Sequence, residues 1–211
     1  MSSFDLILKL VDGFGIRNNV ESIEHVDFSG EGSNVMYNFI PEGEMWLDKV
    51  LENEKDFFVA LHSLERFFLL NGVSYADTRK QICENSTFKC RRNYGVFDVF
   101  IELYNEHLSQ SNPSIWVVDG ALVRRFFDPK FIQGGHDLVY DYIPKNTVWM
   151  ESAFFKEYHF TLTHELCERE LMGKGMKYYD AHALALKAEI VERKNYLDSV
   201  KNHLLKQGGV K

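Results

Sequence analysis

The chain of 211 residues repeats itself, and that repetition limits its fold more than any single motif. Tyr37-Asn-Phe-Ile-Pro41 returns as Tyr140-Asp-Tyr-Ile-Pro144, an offset of 103 (140 − 37). Trp46 and Trp149, Glu65-Arg66 and Glu168-Arg169, Gly72 and Gly175, Tyr75 and Tyr178, and Asp77 and Asp180 keep the same offset. Upstream, Val11-Asp-Gly13 with Arg17 matches Val118-Asp-Gly120 with Arg124 at an offset of 107 (118 − 11), so a length difference of four falls in between. Self-similarity of this kind marks two copies of one structural unit. Ser111-Asn112-Pro113 has turn chemistry and sets the expected boundary, giving units 1–112 and 113–211. A unit of that size leaves apolar surface that its twin can cover, so an internal pseudo-dimer is expected.

Each unit reads as strands followed by helices. In the first, Ile23–Phe28 reads as a strand. The alternation of Val35, Tyr37 and Phe39 predicts another over Asn34–Ile40, paired as a hairpin with Glu44–Leu47. Glu52–Leu70 carries Phe57, Leu61, Leu64 and Phe68 at helical spacing and stops at Asn71-Gly72. Ser74 caps a second helix to about Glu84, and a third is expected from about Phe88 to Leu108. In the second unit, strands are expected over Lys130–Gln133, Asp137–Ile143 and Thr147–Glu151. A helix follows over Phe154–Met172, then an unbroken helical run from Lys177 to about Lys206. The fold class is α+β: two tandem repeats, each a small antiparallel hairpin sheet followed by helices.

Composition narrows the function. Seventeen Phe, ten Tyr and three Trp within a 45% hydrophobic chain supply a sizeable core. A net charge of −7 argues against nucleic acid as the main partner, because phosphate binding needs clustered Lys and Arg. No apolar run approaches the roughly twenty residues of a membrane span. Cys83, Cys90 and Cys167 are sparse and odd in number, and MSSFDLILKLVDG has no basic leader, so a cytoplasmic, reducing setting with free thiols is the expectation.

The chemistry concentrates in Thr163–Glu189. His164 and Glu168 lie four apart on one helical face, with Glu165 one step round, and His182 follows on the next helix. Two imidazoles and one carboxylate suit a zinc ion with an open fourth position; another divalent metal would also be held. The twin copy acts as a control. Opposite His164, Glu165, His182 and Tyr179 stand Leu61, His62, Arg79 and Ala76, whereas Glu168 has a counterpart in Glu65. Two of the three ligands and the base are thus lost from the first copy while the scaffold around them persists. The bland alternatives are a solvated polar face for His164 and Glu165, a Glu168–Arg169 salt bridge, and a core histidine at His182. His136 in Gly134-Gly135-His136 is a fallback ligand, with Ser33 opposite it. Cys167 and Trp149 read as core, and His159 as pointing away.

This His-Glu-x-x-Glu…His pattern resembles the zincin metallopeptidases, nearest the gluzincin type, with a Glu where those proteins carry the second His of the helix. The resemblance implies peptide-bond hydrolysis of a peptide or protein substrate. It implies zinc on His164, Glu168 and His182, Glu165 as general base, and an edge strand at Thr147–Glu151 that binds extended peptide. Tyr179 is a candidate oxyanion donor. The alternative is a non-catalytic zincin-like protein with a vestigial or structural metal site. A dinuclear carboxylate bundle would need paired Glu-x-x-His helices, which the sequence does not contain.

Overall fold

The computed structural model describes residues 6–84, 104–109 and 112–208. It is α+β, built as two small mixed sheets, each followed by helices. In the first half, β1 (Ile7–Val11) leads through α1 (Gly13–Arg17) and α2 (Ile23–Val26) to β2 (Glu31–Ser33) and β3 (Glu44–Asp48). A 3-10 turn over Lys49–Glu54 then opens into α3 (Lys55–Leu70) and α4 (Tyr75–Glu84). The second half repeats the order: β5 (Ser114–Val118), α5 (Gly120–Phe126), β6 (Gly134–His136), β7 (Thr147–Glu151), a 3-10 turn over Ser152–Glu157, α6 (Tyr158–Gly173) and α7 (Tyr178–Gly208). The two offsets read from the sequence carry each of these elements onto its twin except α2, which has no helical counterpart and falls where the first half is four residues longer.

In each sheet the last strand is central. β3 pairs parallel with β1 and antiparallel with β2; β7 pairs parallel with β5 and antiparallel with β6. A further strand, β4 (Tyr104–Ser109), pairs antiparallel with β5. The expected boundary at residue 112 therefore runs between two hydrogen-bonded strands of one sheet. The helix expected over about 88–108 lies outside the described residues as far as residue 103, and its end is β4.

Three local expectations are corrected. Ile23–Val26 is a helical turn, where a strand was expected. None of 34–40, 130–133 and 137–143 is a strand; 34–40 and 137–143 are turn-rich loops, and the paired strands are the short β2 and β6 just before them. The alternation that suggested strands serves another purpose. Tyr37 and Phe39 stack with Phe28 and Trp46 in one aromatic cluster, and Tyr37 Oη accepts the Ser29 amide at 3.1 Å. Finally, Thr147–Glu151 is not a sheet edge. β7 is paired on both sides and every residue in it is buried, because the parallel strand β5 occupies the flank that strand addition would need.

The repeated Val-Asp-Gly motif has a physical reason. Asp12 and Asp119 cap α1 and α5 through the amides of Gly15 and Leu122, at 3.3 and 3.2 Å. A side chain on Gly13 or Gly120 would run into the carboxylate of Asp48 or Glu151. Each of those carboxylates holds an arginine, and the arginines reach across the molecule. Buried Arg17 donates to Asp48 at 2.8 Å, to the Phe28 carbonyl at 3.1 Å and to Glu157 of the second half at 2.8 Å. Arg124 donates to Glu151 at 2.7 Å, to the Phe131 carbonyl at 2.8 Å and to Glu54 of the first half at 2.9 Å. Equivalent residues thus make equivalent bonds in both directions. No helix among the described residues is long and apolar enough to cross a membrane.

Candidate metal centre

α6 runs from the end of β7 and presents His164, Glu165 and Glu168 on its buried side. After the turn at Gly175 (φ +92°), which a residue with a Cβ would adopt only under strain, α7 returns alongside it and brings His182 to the same point. His164 Nε2 lies 3.1 Å from His182 Nδ1 and 3.5 Å from Glu168 Oε2, and His182 Nδ1 lies 2.8 Å from the same oxygen. A zinc ion with bonds of about 2.0–2.1 Å in tetrahedral geometry sets its donors about 3.3 Å apart. The three edges bracket that value, so the donor set fits a single small divalent ion.

The remaining nitrogens are also placed. His164 Nδ1 faces Glu189 Oε2 at 3.0 Å, and His182 Nε2 faces Asp27 Oδ1 of the first half at 3.3 Å. A carboxylate behind each imidazole is the arrangement that fixes the ring and tautomer of a metal-binding histidine. Glu189 is held in turn by Arg193, whose Nε donates to it at 2.9 Å and whose other arm donates to Glu157 at 2.6 Å. Since Glu157 also binds Arg17, a line of buried ion pairs joins His164 to the first sheet.

His136 on β6 is not a metal donor in this arrangement. Its Nδ1 accepts the Leu138 amide at 3.2 Å, which leaves the proton on Nε2, and that N–H donates to Glu168 Oε1 at 3.0 Å. It therefore orients the carboxylate whose other oxygen faces the two histidines. The Glu168–Arg169 salt bridge is absent: Arg169 turns away to Asp137 at 2.6 Å. Cys167 carries a free thiol and is half-buried, and His159 is exposed and pairs with Glu192, away from the centre. Tyr179, the candidate oxyanion donor, is 72% exposed and outside the cleft. Its neighbour Tyr178 lines the cleft and stacks on the His182 ring at 5.5 Å.

The electrostatics follow from this crowding. Burial alone would lower the pKa of His164, but bonds to Glu168 and Glu189 overcome it and raise the value to about 10. Burial likewise opposes a rise at His182, which Asp27 and Glu168 carry to about 9. Glu168 is held well below the usual carboxylate range: burial opposes this, and bonds from His136, His164 and His182 outweigh it. Glu165 has no such donors, and burial pushes it up to about 7, with Glu168 adding and His164 opposing. Its carboxyl lies on the wall of a cleft of about 160 Å³ whose other sides include Asp27, Gln133, Gly134, Thr161 and Tyr140.

Sequence reasoning assembled His164, Glu165, Glu168 and His182, missed Glu189 and Asp27, and named His136 only as a fallback ligand. Glu189 was within reach, because His182, Glu189 and Arg193 lie seven and four apart on one helical face. Asp27 gave no local signal, being 155 residues from its partner. The role of His136 depends on a backbone amide that only the fold supplies. No protein family, curated protein or solved structure matches the chain.

Proposed function

We propose that the second half is a metal-dependent hydrolase centre, with zinc as the expected ion and the peptide bond as the expected substrate linkage. His164 Nε2, His182 Nδ1 and Glu168 Oε2 would hold the ion. The observation that carries this reading is their convergence to 2.8–3.5 Å, with a carboxylate behind each imidazole. Zinc bound there would act as a Lewis acid and lower the pKa of a coordinated water. Glu165, adjacent on α6, would take the proton from the attacking water and return it to the leaving nitrogen. His136 keeps Glu168 in one orientation, and Glu189 and Asp27 keep the two rings turned to a common point. Since β7 has no free edge, substrate would enter through the mouth of the cleft beside Tyr178, without adding a strand. The two halves would act as an internal pseudo-dimer, the first supplying Asp27 and the arginine-bonded scaffold.

A non-catalytic metal site is the second reading, and the small cleft favours it. One experiment separates them. Protein purified without added metal is assayed for zinc and for cleavage of a mixed peptide library, beside His164→Ala and Glu165→Gln. The hydrolase reading expects about one zinc per chain, lost in H164A, and activity falling on the order of 100-fold or more in E165Q with zinc retained. Retained zinc with no cleavage by wild-type protein supports the structural site. Absence of metal from wild-type protein, with no uptake on titration, overturns both.

A further inference from the structure

The first half contains a second cluster of metal-ligating side chains that the proposed centre does not use. Glu31 on β2 and His62 and Glu65 on α3 are all essentially inaccessible, and one donor atom from each lies within 4.8 Å of the others. His62 and Glu65 are the twins of Glu165 and Glu168, so this cluster sits where the proposed metal centre sits in the other half. It already holds a cation. Lys130, from the second half, places Nζ 2.5 Å from Glu31 Oε1 and 3.1 Å from Glu65 Oε2. His62 Nδ1 faces Glu31 Oε2 at 3.1 Å and Glu65 Oε2 at 3.6 Å.

We infer that this cluster is a second divalent-cation site whose resident cation is the tethered ammonium of Lys130. The charge count supports it. Two carboxylates buried side by side need positive charge, and a lysine supplied by the same chain has no translational entropy to lose, so it excludes free ions. With the ammonium gone and the imidazole proton displaced by the metal, Glu31, Glu65 and His62 offer two oxygens and a nitrogen, and one divalent ion balances the two carboxylates. Residue 130 is itself the twin of Asp27, which reaches His182 across the same interface in the opposite direction. The equivalent position is basic where it enters the carboxylate-rich cluster and acidic where it enters the histidine-rich one. Each half thus supplies the counter-charge to the other. This inference does not depend on the proposed hydrolase.

The test is zinc stoichiometry in Lys130→Met, measured by elemental analysis after dialysis against zinc, in wild-type and His164→Ala backgrounds. The site predicts one more zinc per chain in K130M than in its parent, in both backgrounds, abolished by adding His62→Ala. If K130M is unfolded without metal, zinc is expected to restore its cooperative melting. Folded K130M with unchanged stoichiometry, or unfolded K130M that zinc does not rescue, overturns the inference. If wild-type protein binds no zinc and K130M binds one, the first-half site stands and the proposed second-half centre fails.

Discussion

The two halves place the same helix against the same strand and fill the gap between them differently. In the first half Glu31 projects from β2 over His62, and Lys130 closes the space. In the second half the twin of Glu31 is Gly134, where even a Cβ would press at 3.0 Å on Thr161 and on the Trp149 carbonyl. That glycine leaves a cleft above Glu165, whereas its glutamate twin makes a sealed ion cluster. The difference teaches that an open polar cleft in this scaffold depends on what is withheld as much as on the groups that line it. One half spends its polar groups on internal neutralisation, and the other leaves a carboxylate and an open wall.

The comparison breaks most sharply at the buried cations. Arg17→Met leaves Asp48 without its arginine and Glu157 with Arg193 in place of two arginines, and is expected to cost about 3–5 kcal/mol. Arg124→Met is expected to cost less, because its cross-half partner Glu54 is one-quarter exposed, with 24% of its side chain accessible. Urea unfolding of both variants checks the order. Equal losses would mean that solvent access at Glu54 does not soften the reciprocal contact. Lys130→Met, measured without metal, belongs with Arg17→Met at about 3–5 kcal/mol, since it leaves His62 to neutralise two buried carboxylates.

A pH effect comes next. Burial opposes the charged form of His62, but Glu31 from β2 and Glu65 from α3 raise its pKa from 6.5 to about 9, with Lys130 facing the same carboxylates. A raised folded value contributes stability that is complete below pH 6.5 and is lost as pH climbs through 9, an effect of at most about 3 kcal/mol. His62→Gln should therefore flatten the fall in unfolding free energy between pH 6.5 and 9 relative to wild-type protein. An unchanged slope would remove His62 from the account.

Much of this plan was legible in the sequence, for reasons of distance along the chain. The duplication, the two helices and the convergence of His164, Glu168 and His182 rest on local spacing, which periodicity reports well. The strands at 34–40 and 137–143 were misread because Tyr37 and Phe39 alternate to fill an aromatic cluster inside a loop, and alternation alone does not tell that from a pleat. The central place of β7 depends on β5, a parallel partner that no turn signal announces. The cross-half bonds, Arg17 to Glu157 at a separation of 140 residues and Asp27 to His182 at 155, leave no pattern in either segment.

The smallest effects separate neighbours. Asp27→Ala removes a half-exposed partner of His182 and should cost under about 1 kcal/mol in metal-free protein, against the much larger loss at its twin Lys130. Tyr179→Ala, at an exposed position, should stay within about 0.5 kcal/mol of wild type and leave zinc content unchanged. A clear loss of zinc in Tyr179→Ala would bring that ring back into the centre.

The most direct measurement of the central claim is an anomalous difference map at the zinc edge from crystals grown with zinc. The account predicts one strong peak in wild-type protein, within about 2.2 Å of His164 Nε2, His182 Nδ1 and Glu168 Oε2. A map with no peak between α6 and α7, or with its peak on other residues, would contradict it.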